Sequence, residues 1–219
     1  MRCMILLQKN KIWFPKQDLA MDDGLLAIGG DLSLERLVLA YENGIFPWYS
    51  EGEPPLWWCP DPRFVLYPEE LKVSKSMKQI LRSDKFEFRH NTAFEHVIRN
   101  CKNAPRPGQD GTWISDDVVN AYMNMHKHGY AHSAEAWEDG KLVGGLYGIL
   151  MDRIFFGESM FSHSSNSSKF AFINWVQYLK SLNVQLIDCQ VYTEHLESLG
   201  AKMIPRTHFL EILKKNIAK

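Results

Sequence analysis

The chain reads as an α+β protein organised around a β-meander, on three observations. Residues 131–161 hold two runs rich in Val, Leu, Ile, Tyr and Phe that flank Met151-Asp152-Arg153, and a third run that precedes Asp139-Gly140. Asp-Gly between such runs is the strongest short-range hairpin signal. A helical pattern from Lys169 to Leu182 then leads to the short apolar run VQLIDCQ at 184–190. Residues 1–62 differ in character, with glycine and turn residues followed by clustered proline and tryptophan.

The 219 residues suffice for one large domain, or for a small one plus a medium one. A hydrophobic share of 45% beside 23% charged residues suits a globular protein that buries a core. The formal net charge of −1 excludes a nucleic-acid binder held by bulk charge and leaves room for a local basic patch. Cys3, Cys59, Cys101 and Cys189 are far apart, with no C-x-x-C among them. The apolar run in MRCMILLQKNK is too short for a signal peptide, so free thiols in a cytoplasmic protein are expected. His126 and His128, two apart on an expected helix, point in different directions, and no metal site is expected. No apolar run approaches the ~18 residues that would span a membrane.

In chain order, MILLQ is a short strand and IWFP opens a loop. DGLLAIGGD reads as a turn and a helix entrance; it matches neither G-x-x-x-x-G-K-S/T nor G-x-G-x-x-G. Asp31 or Ser33 caps a helix starting near Leu34, with Leu34, Leu37, Val38 and Tyr41 at helical spacing and Gly44 at its end. IFPWYSEGEPPLWWCPDPR, with proline at 47, 54, 55, 60 and 62, is expected to be neither regular helix nor central strand. Its tryptophans suit either a loop presenting aromatics to a flat ligand such as a base, or a brace between subdomains. Trp57 and Trp58 fit the brace, and Trp48 fits both.

From Arg63 onward, FVLYP is a strand and LKVSKSMKQILRS a helix. Lys72, Lys75, Lys78 and Arg82 recur there at three- and four-residue spacing, a stripe that suits a phosphate backbone or an ordinary solvated face. KFEFRH is a strand, TAFEHVIRNCKN a helix, and APRPGQDGTW a loop ending on Trp113. ISDDVVNAYMNMHKHGY is a helix capped by Ser115, with Val118, Tyr122 and Met125 on one side. The meander strands are expected at 131–138, 141–150 and 153–161, followed by the helix at 169–182 and the strand at 184–190. HLESLGA (short helix), KMIPR (strand) and HFLEILKKNIAK (amphipathic helix) close the chain. A meander followed by helix, strand, helix and strand resembles the GNAT-type acyltransferase architecture, which fixes no function by itself.

Two acidic residues sit inside these apolar strands. Strands deplete Asp, so Asp188 in LIDCQ needs a reason, and Glu158 lies late in the third meander run. Strand period puts Asp188 and Gln190 on one face, with Ile187 and Cys189 on the other. A carboxylate beside a carboxamide at a strand end is either a site or a buried polar pair satisfied by backbone.

DGLLAIGGDLSLERLVLAYENGIFPWYS, PLWWCPDPR, GTWIS, AHSAEAW, LVGGLYG, GESMFS and IDCQ-x-x-x-x-HLESLGA-x-x-IPR resemble the bacterial leucyl/phenylalanyl-tRNA–protein transferases. The resemblance runs from Phe14 to Arg206. It implies a small amino-terminal domain, 1–62, packed on a GNAT-like catalytic domain, 63–219. It implies transfer of Leu or Phe from leucyl-tRNA or phenylalanyl-tRNA to the amino terminus of proteins beginning with Arg or Lys, marking them for N-end rule degradation. No cofactor is expected, since the aminoacyl ester is already activated, and a monomer is favoured. By the same resemblance Asp188 meets the acceptor ammonium as electrostatic partner or base, Gln190 orients the amine, and Glu158 holds the ammonium or the acceptor's basic side chain. Leu146, Phe155, Phe172 and Trp175 line the donor pocket; the family more often has Met at 146 and Phe at 175, and the larger Trp175 ring tilts preference from Phe toward Leu. Trp48 and Trp113 hold the terminal adenosine, and Lys72, Lys75, Lys78 and Arg82 contact tRNA. HSSNSSK lacks the glycine-bearing pyrophosphate turn of an acetyl-CoA enzyme, so coenzyme A is not expected, while the helix start near Ser168 suits an RNA phosphate. Two competing readings, a silent RNA- or peptide-binding module and an acyl-CoA N-acetyltransferase, are disfavoured by the acidic and amide residues and by the missing turn.

One structural expectation follows. Strict alternation sends Phe155 and Glu158 to opposite faces of their strand, yet the resemblance assigns both to one site. A bulge near Gly157 would reset the alternation and splay the neighbouring strands into a cleft.

Overall fold

The computed structural model describes residues 4–104 and 112–218. Cys3 and most of the loop expected at APRPGQDGTW, residues 105–111, lie outside that range. The first of two sheets is built from β1 (Leu6–Leu7), β2 (Leu25–Gly29), β3 (Phe46–Pro47) and β4 (Leu56–Trp58), in the order β1-β2-β4-β3. Helix α1 (Leu34–Glu42) lies between β2 and β3 in sequence, and Gly44 just past its end takes φ 70°. Ser33 is its N-cap residue but makes no side-chain cap bond; Asp31 accepts instead from the Ser33 N–H and from Arg36 Nε.

Two expectations fail in this sheet. DGLLAIGG is not a turn: Leu25–Gly29 is a strand paired on both sides, with Leu26 and Ala27 buried, and its glycines only end it. LWW is a central strand, between β2 and β3. Pro54, Pro55 and Pro60 flank that strand without interrupting it, and Pro47, which lacks an N–H, sits on the edge strand where none is needed. Trp57 is fully buried there and its Nε1 donates to the Gly29 carbonyl at 2.8 Å, a bond within this sheet.

The second sheet has seven strands, in the order β11-β5-β10-β9-β8-β7-β6. These are β5 (Arg63–Leu66), β6 (Glu87–His90), β7 (Ala131–Glu138), β8 (Lys141–Met151), β9 (Ile154–Ser162), β10 (Leu186–Gln190) and β11 (Lys202–Ile204). The meander β7-β8-β9 is as expected. Asp139 and Gly140 both take positive φ, 51° and 74°, as a tight primed hairpin turn requires. Six helices accompany the sheet: α2 (Lys75–Arg82), α3 (Phe94–Asn103), α4 (Asp116–Lys127), α5 (Ser167–Ser181), α6 (Glu194–Ser198) and α7 (Arg206–Asn216). The Ser115 hydroxyl accepts from the Val118 N–H and starts α4, which buries Val118, Tyr122 and Met125. Ser74 caps α2 in the same way, so the helix begins at Lys75 and Lys72 stands outside it, its N–H bonded to the Leu199 carbonyl.

The centre of the sheet is where the site forms. β10 returns parallel to β9, pairing Leu186, Ile187 and Asp188 with Ile154, Phe155 and Phe156. On the other edge of β9, Gly157 pairs with Gly148 but Ser159 pairs with Tyr147, leaving Glu158 as the extra residue. The expected bulge is therefore present beside Gly157. Its effect on facing differs from the expectation. Phe155 packs in the apolar cluster with Leu146, Phe172 and Trp175, whereas the Glu158 carboxylate meets tyrosines of the opposite cluster, which also contains Phe156. Both still line one cleft, which draws its walls from both faces of the sheet.

Candidate active site

The cleft has a volume of about 740 Å³ and opens where β9 and β10 part company. Leu146, Phe155 and Phe172 supply an apolar wall, joined by Met160 and Ile187. Trp48 and Trp113 also line the cleft, and Trp48 is 37% exposed, with its carbonyl held by Trp58 Nε1 at 2.6 Å. Trp175 is not among the lining residues; it is fully buried and packs edge-on against Phe155 at 5.5 Å, one layer behind the wall.

The polar end of the cleft holds Glu158 and Gln190. Glu158 Oε1 accepts from Gln190 Nε2 at 2.7 Å and from the Tyr41 hydroxyl at 2.8 Å, and Oε2 accepts from the Tyr122 hydroxyl at 3.0 Å. The two tyrosine hydroxyls are also hydrogen-bonded to each other. Burial pushes the Glu158 carboxyl from its ordinary 4.5 up to about 7, against the pull of those three hydrogen bonds, with the nearby Asp188 charge adding to the rise. Burial and the Glu158 charge together drive both tyrosines well above their usual range, so they stay protonated donors.

Asp188 does not line the cleft. Its carboxylate is fully buried and takes two charge-assisted bonds from Arg63, Nε to Oδ1 at 2.8 Å and a terminal nitrogen to Oδ2 at 2.6 Å. The Arg63 guanidinium lies against the rings of Phe46 and Phe209, at 4.7 and 4.6 Å. Burial opposes the Arg63 charge, but the Asp188 carboxylate outweighs it and the net shift is upward. Asp188 Oδ1 also accepts the Gln190 N–H at 2.9 Å, and Gln190 takes φ 64°, a left-handed conformation that a branched or bulky residue would resist. Asp188 thus fixes the turn that presents Gln190. The register against β5 slips between Asp188 and Gln190, so the strict strand alternation that puts the two on one face does not run through this pair. The expectation that Asp188 itself meets an ammonium is at odds with a carboxylate already spent on Arg63.

Two models of one family match most of the chain. One, described as leucyl/phenylalanyl-tRNA protein transferase, matches residues 65–214, and one for the same family's N-terminal domain matches residues 30–61. The chain is 55% identical over 203 residues to a leucyl/phenylalanyl-tRNA–protein transferase of Flavobacterium johnsoniae, covering 93% of this chain and 96% of that protein. Like-named proteins of Syntrophus aciditrophicus and Pseudomonas fluorescens are 54% and 50% identical, covering 95% and 96% of this chain and 87% and 94% of theirs.

This chain belongs to the leucyl/phenylalanyl-tRNA–protein transferase family.

In this family member the sequence reading missed Arg63, Tyr41 and Tyr122 as site residues. Tyr41 and Tyr122 were legible only as apolar positions on helix faces. One signal was available: a buried tyrosine hydroxyl needs a partner, and two buried tyrosines with a strand glutamate make a natural set. Arg63 gave no local signal, since its partner is 125 residues away. Cys189 lines the cleft, but burial and then the Asp188 charge raise its thiol far above the range of a reactive thiolate. His195 shares the cleft wall, and burial lowers its pKa, so it is neutral near pH 7. Lys75, Lys78 and Arg82 are carried on α2, Lys72 stands just before it, and none of the four lines the cleft. Among the described residues no cluster of His, Cys, Asp and Glu suits a metal ion, and no helix is long and apolar enough to cross a membrane.

Proposed function

We propose that this chain transfers Leu or Phe from charged tRNA to the amino terminus of proteins that begin with Arg or Lys. The observation that carries the reading is an apolar wall of Leu146, Phe155 and Phe172 sharing one cleft with the Glu158–Gln190 pair. An apolar donor side chain and a charged acceptor amine need those two environments side by side. The aminoacyl ester is activated already. The acceptor α-amine, with a pKa of about 8, arrives mostly protonated near neutral pH. Catalysis therefore consists of removing that proton and holding nitrogen against the ester carbonyl. Glu158, with its pKa raised to about 7, is matched to the proton. Gln190 gives its amide N–H to Glu158, which leaves its carbonyl oxygen to orient the amine. Asp188, held by Arg63, acts through Gln190 rather than on the substrate.

Trp48 and Trp113 stack the terminal adenosine, Trp175 sets the depth of the donor pocket from behind Phe155, and Lys72, Lys75, Lys78 and Arg82 meet tRNA phosphates. The 1–62 unit is a small amino-terminal domain on the 63–219 catalytic domain. The enzyme works in the cytoplasm as a monomer and marks proteins for N-end rule degradation. The test is mass spectrometry of a peptide beginning with Arg, incubated with enzyme and leucyl- or phenylalanyl-tRNA, with acetyl-CoA in a parallel reaction. The expected result is one added leucyl or phenylalanyl residue from tRNA and nothing from acetyl-CoA. An acetylated peptide, or no modification in either reaction, overturns the reading.

A further inference from the structure

Glu158 sits in a triangle that has one proton too few. Its two carboxylate oxygens and the hydroxyls of Tyr41 and Tyr122 make three mutual contacts: Tyr41 to Oε1, Tyr122 to Oε2, and Tyr41 to Tyr122. Each hydroxyl owns a single hydrogen. With Glu158 ionised, two protons serve three contacts, and whichever way the hydroxyls turn, one contact is left with lone pairs facing each other. With Glu158 protonated on Oε2, the count closes. Oε2–H donates to Tyr122, Tyr122 donates to Tyr41, and Tyr41 donates back to Oε1. The Gln190 amide stays on Oε1, as it is.

We propose that Tyr41, Tyr122 and Glu158 form a closed hydroxyl–carboxyl ring that takes up the proton of the acceptor's α-ammonium, with Glu158 as the base and the two tyrosines as positioning residues. This rests on the aminoacyl-transfer reading above and assigns the base and its supports. Oε2 accepts one hydrogen bond where Oε1 accepts two, so it keeps room for the incoming proton. The step balances. The ammonium gives a proton to Oε2 and becomes a neutral amine. Its nitrogen forms the bond to the ester carbon. The carbon–oxygen bond to the ribose breaks, and the second nitrogen proton goes to that oxygen. Glu158 then releases its proton to water.

The ring also ties the two sheets' territories together. Tyr41 comes from α1, beside the small sheet, and Tyr122 from α4, which packs on the large one. The other charged groups near Glu158 are the Asp188–Arg63 pair on β10 and β5, which face each other, and Tyr147 on β8 packs edge-on against Tyr122 at 5.6 Å. The carboxyl's titration near neutrality accords with this, since each hydroxyl pulls it down while burial holds it up.

Two measurements test the ring. The first is the Glu158 carboxyl titration by 13C NMR in the intact protein, assigned with Glu158→Gln. A midpoint near 7 is expected, and one near the ordinary glutamate value overturns the ring. The second is kcat/KM against pH for transfer to an Arg peptide, in wild type, Tyr41→Phe and Tyr122→Phe. Loss of one hydroxyl removes a donor to the carboxylate, so the limb that reports Glu158 moves to higher pH. With that limb displaced upward by about one pH unit, transfer falls about fivefold at about pH 7 and recovers by about pH 9. A merely structural tyrosine lowers the rate equally at every pH, and that result, or an unmoved limb in both variants, overturns the proposal. No transfer by wild type at any pH defeats the transferase reading and this step with it; the NMR midpoint then says whether the ring itself exists.

Discussion

Replacing Asp188 by Asn separates two roles that the residue has been given. Asparagine has the same shape and its Oδ1 can still accept the Gln190 N–H. What is lost is the negative charge facing Arg63, a guanidinium only 1% exposed and held at 2.6 and 2.8 Å. An uncompensated charge in such a place costs about 3–5 kcal/mol. For a chain of this size each kcal/mol lowers Tm by about 2–4 °C, so the midpoint falls by roughly 6–20 °C. The assay is thermal unfolding by circular dichroism, with urea unfolding as a check that the slope is unchanged. The companion is the double variant Asp188→Asn with Arg63→Met, which removes both charges and keeps an acceptor for the Gln190 N–H. It is expected to recover most of the lost stability, since no uncompensated charge is left buried. A single variant within about 2 °C of wild type, or a double variant as unstable as the single, refutes the claim that Asp188 is an anchor for Arg63.

Glu158→Gln should lower the transfer rate by at least ~10²-fold, the low end of what general-base catalysis supplies, in single-turnover assays with charged tRNA. The same variant tests the raised carboxyl through stability. A folded-state pKa of about 7 against an ordinary 4.5 means the native protein holds the extra proton between those values, so wild-type stability falls as pH rises from 4.5 to 7. Urea unfolding should therefore show Glu158→Gln gaining on wild type at about pH 8 and not at about pH 4. Charge reversal at Lys75 and Lys78 should weaken tRNA binding and flatten its salt dependence; an unchanged slope of log affinity against log salt makes α2 only a solvated face. Trp175→Phe should raise the ratio of phenylalanyl to leucyl transfer, measured as competing kcat/KM values, because a smaller ring behind Phe155 lets the pocket deepen.

The apolar wall of the cleft and its polar pair were legible in the sequence for different reasons. Phe155, Phe172 and Leu146 lie in apolar runs, and only the family resemblance distinguished them from core. Glu158 and Asp188 stood out because strands reject acids without a cause. The causes proved unlike: Glu158 meets hydroxyls and an amide in the cleft, while Asp188 meets a guanidinium behind it. Trp175 entered by resemblance as a pocket-lining residue, but it lies one layer behind the wall, a place that depends on how α5 lies across the sheet. Leu25–Gly29 and Leu56–Trp58 were misread because glycine and proline dominate their neighbourhoods, and only pairing with each other makes them strands.

The sequence by itself determined the meander, its turns and the helix capped by Ser115, because each follows from contacts within a few residues: periodicity, a capping hydroxyl, a left-handed turn pair. The bulge beside Gly157 was expected only because the family resemblance asked Phe155 and Glu158 to share one site. Only the tertiary structure decided which acid is paired with a cation and which meets hydroxyls and an amide. Arg63 reaches Asp188 across 125 positions and Tyr41 reaches Glu158 across 117. Those pairings are set by β10 inserting between β5 and β9, an arrangement of whole strands that no local window encodes. It places one carboxylate against a permanent cation and the other against neutral hydroxyls, and that difference in surroundings, not in residue type, makes Asp188 an anchor and Glu158 a group that titrates near neutrality.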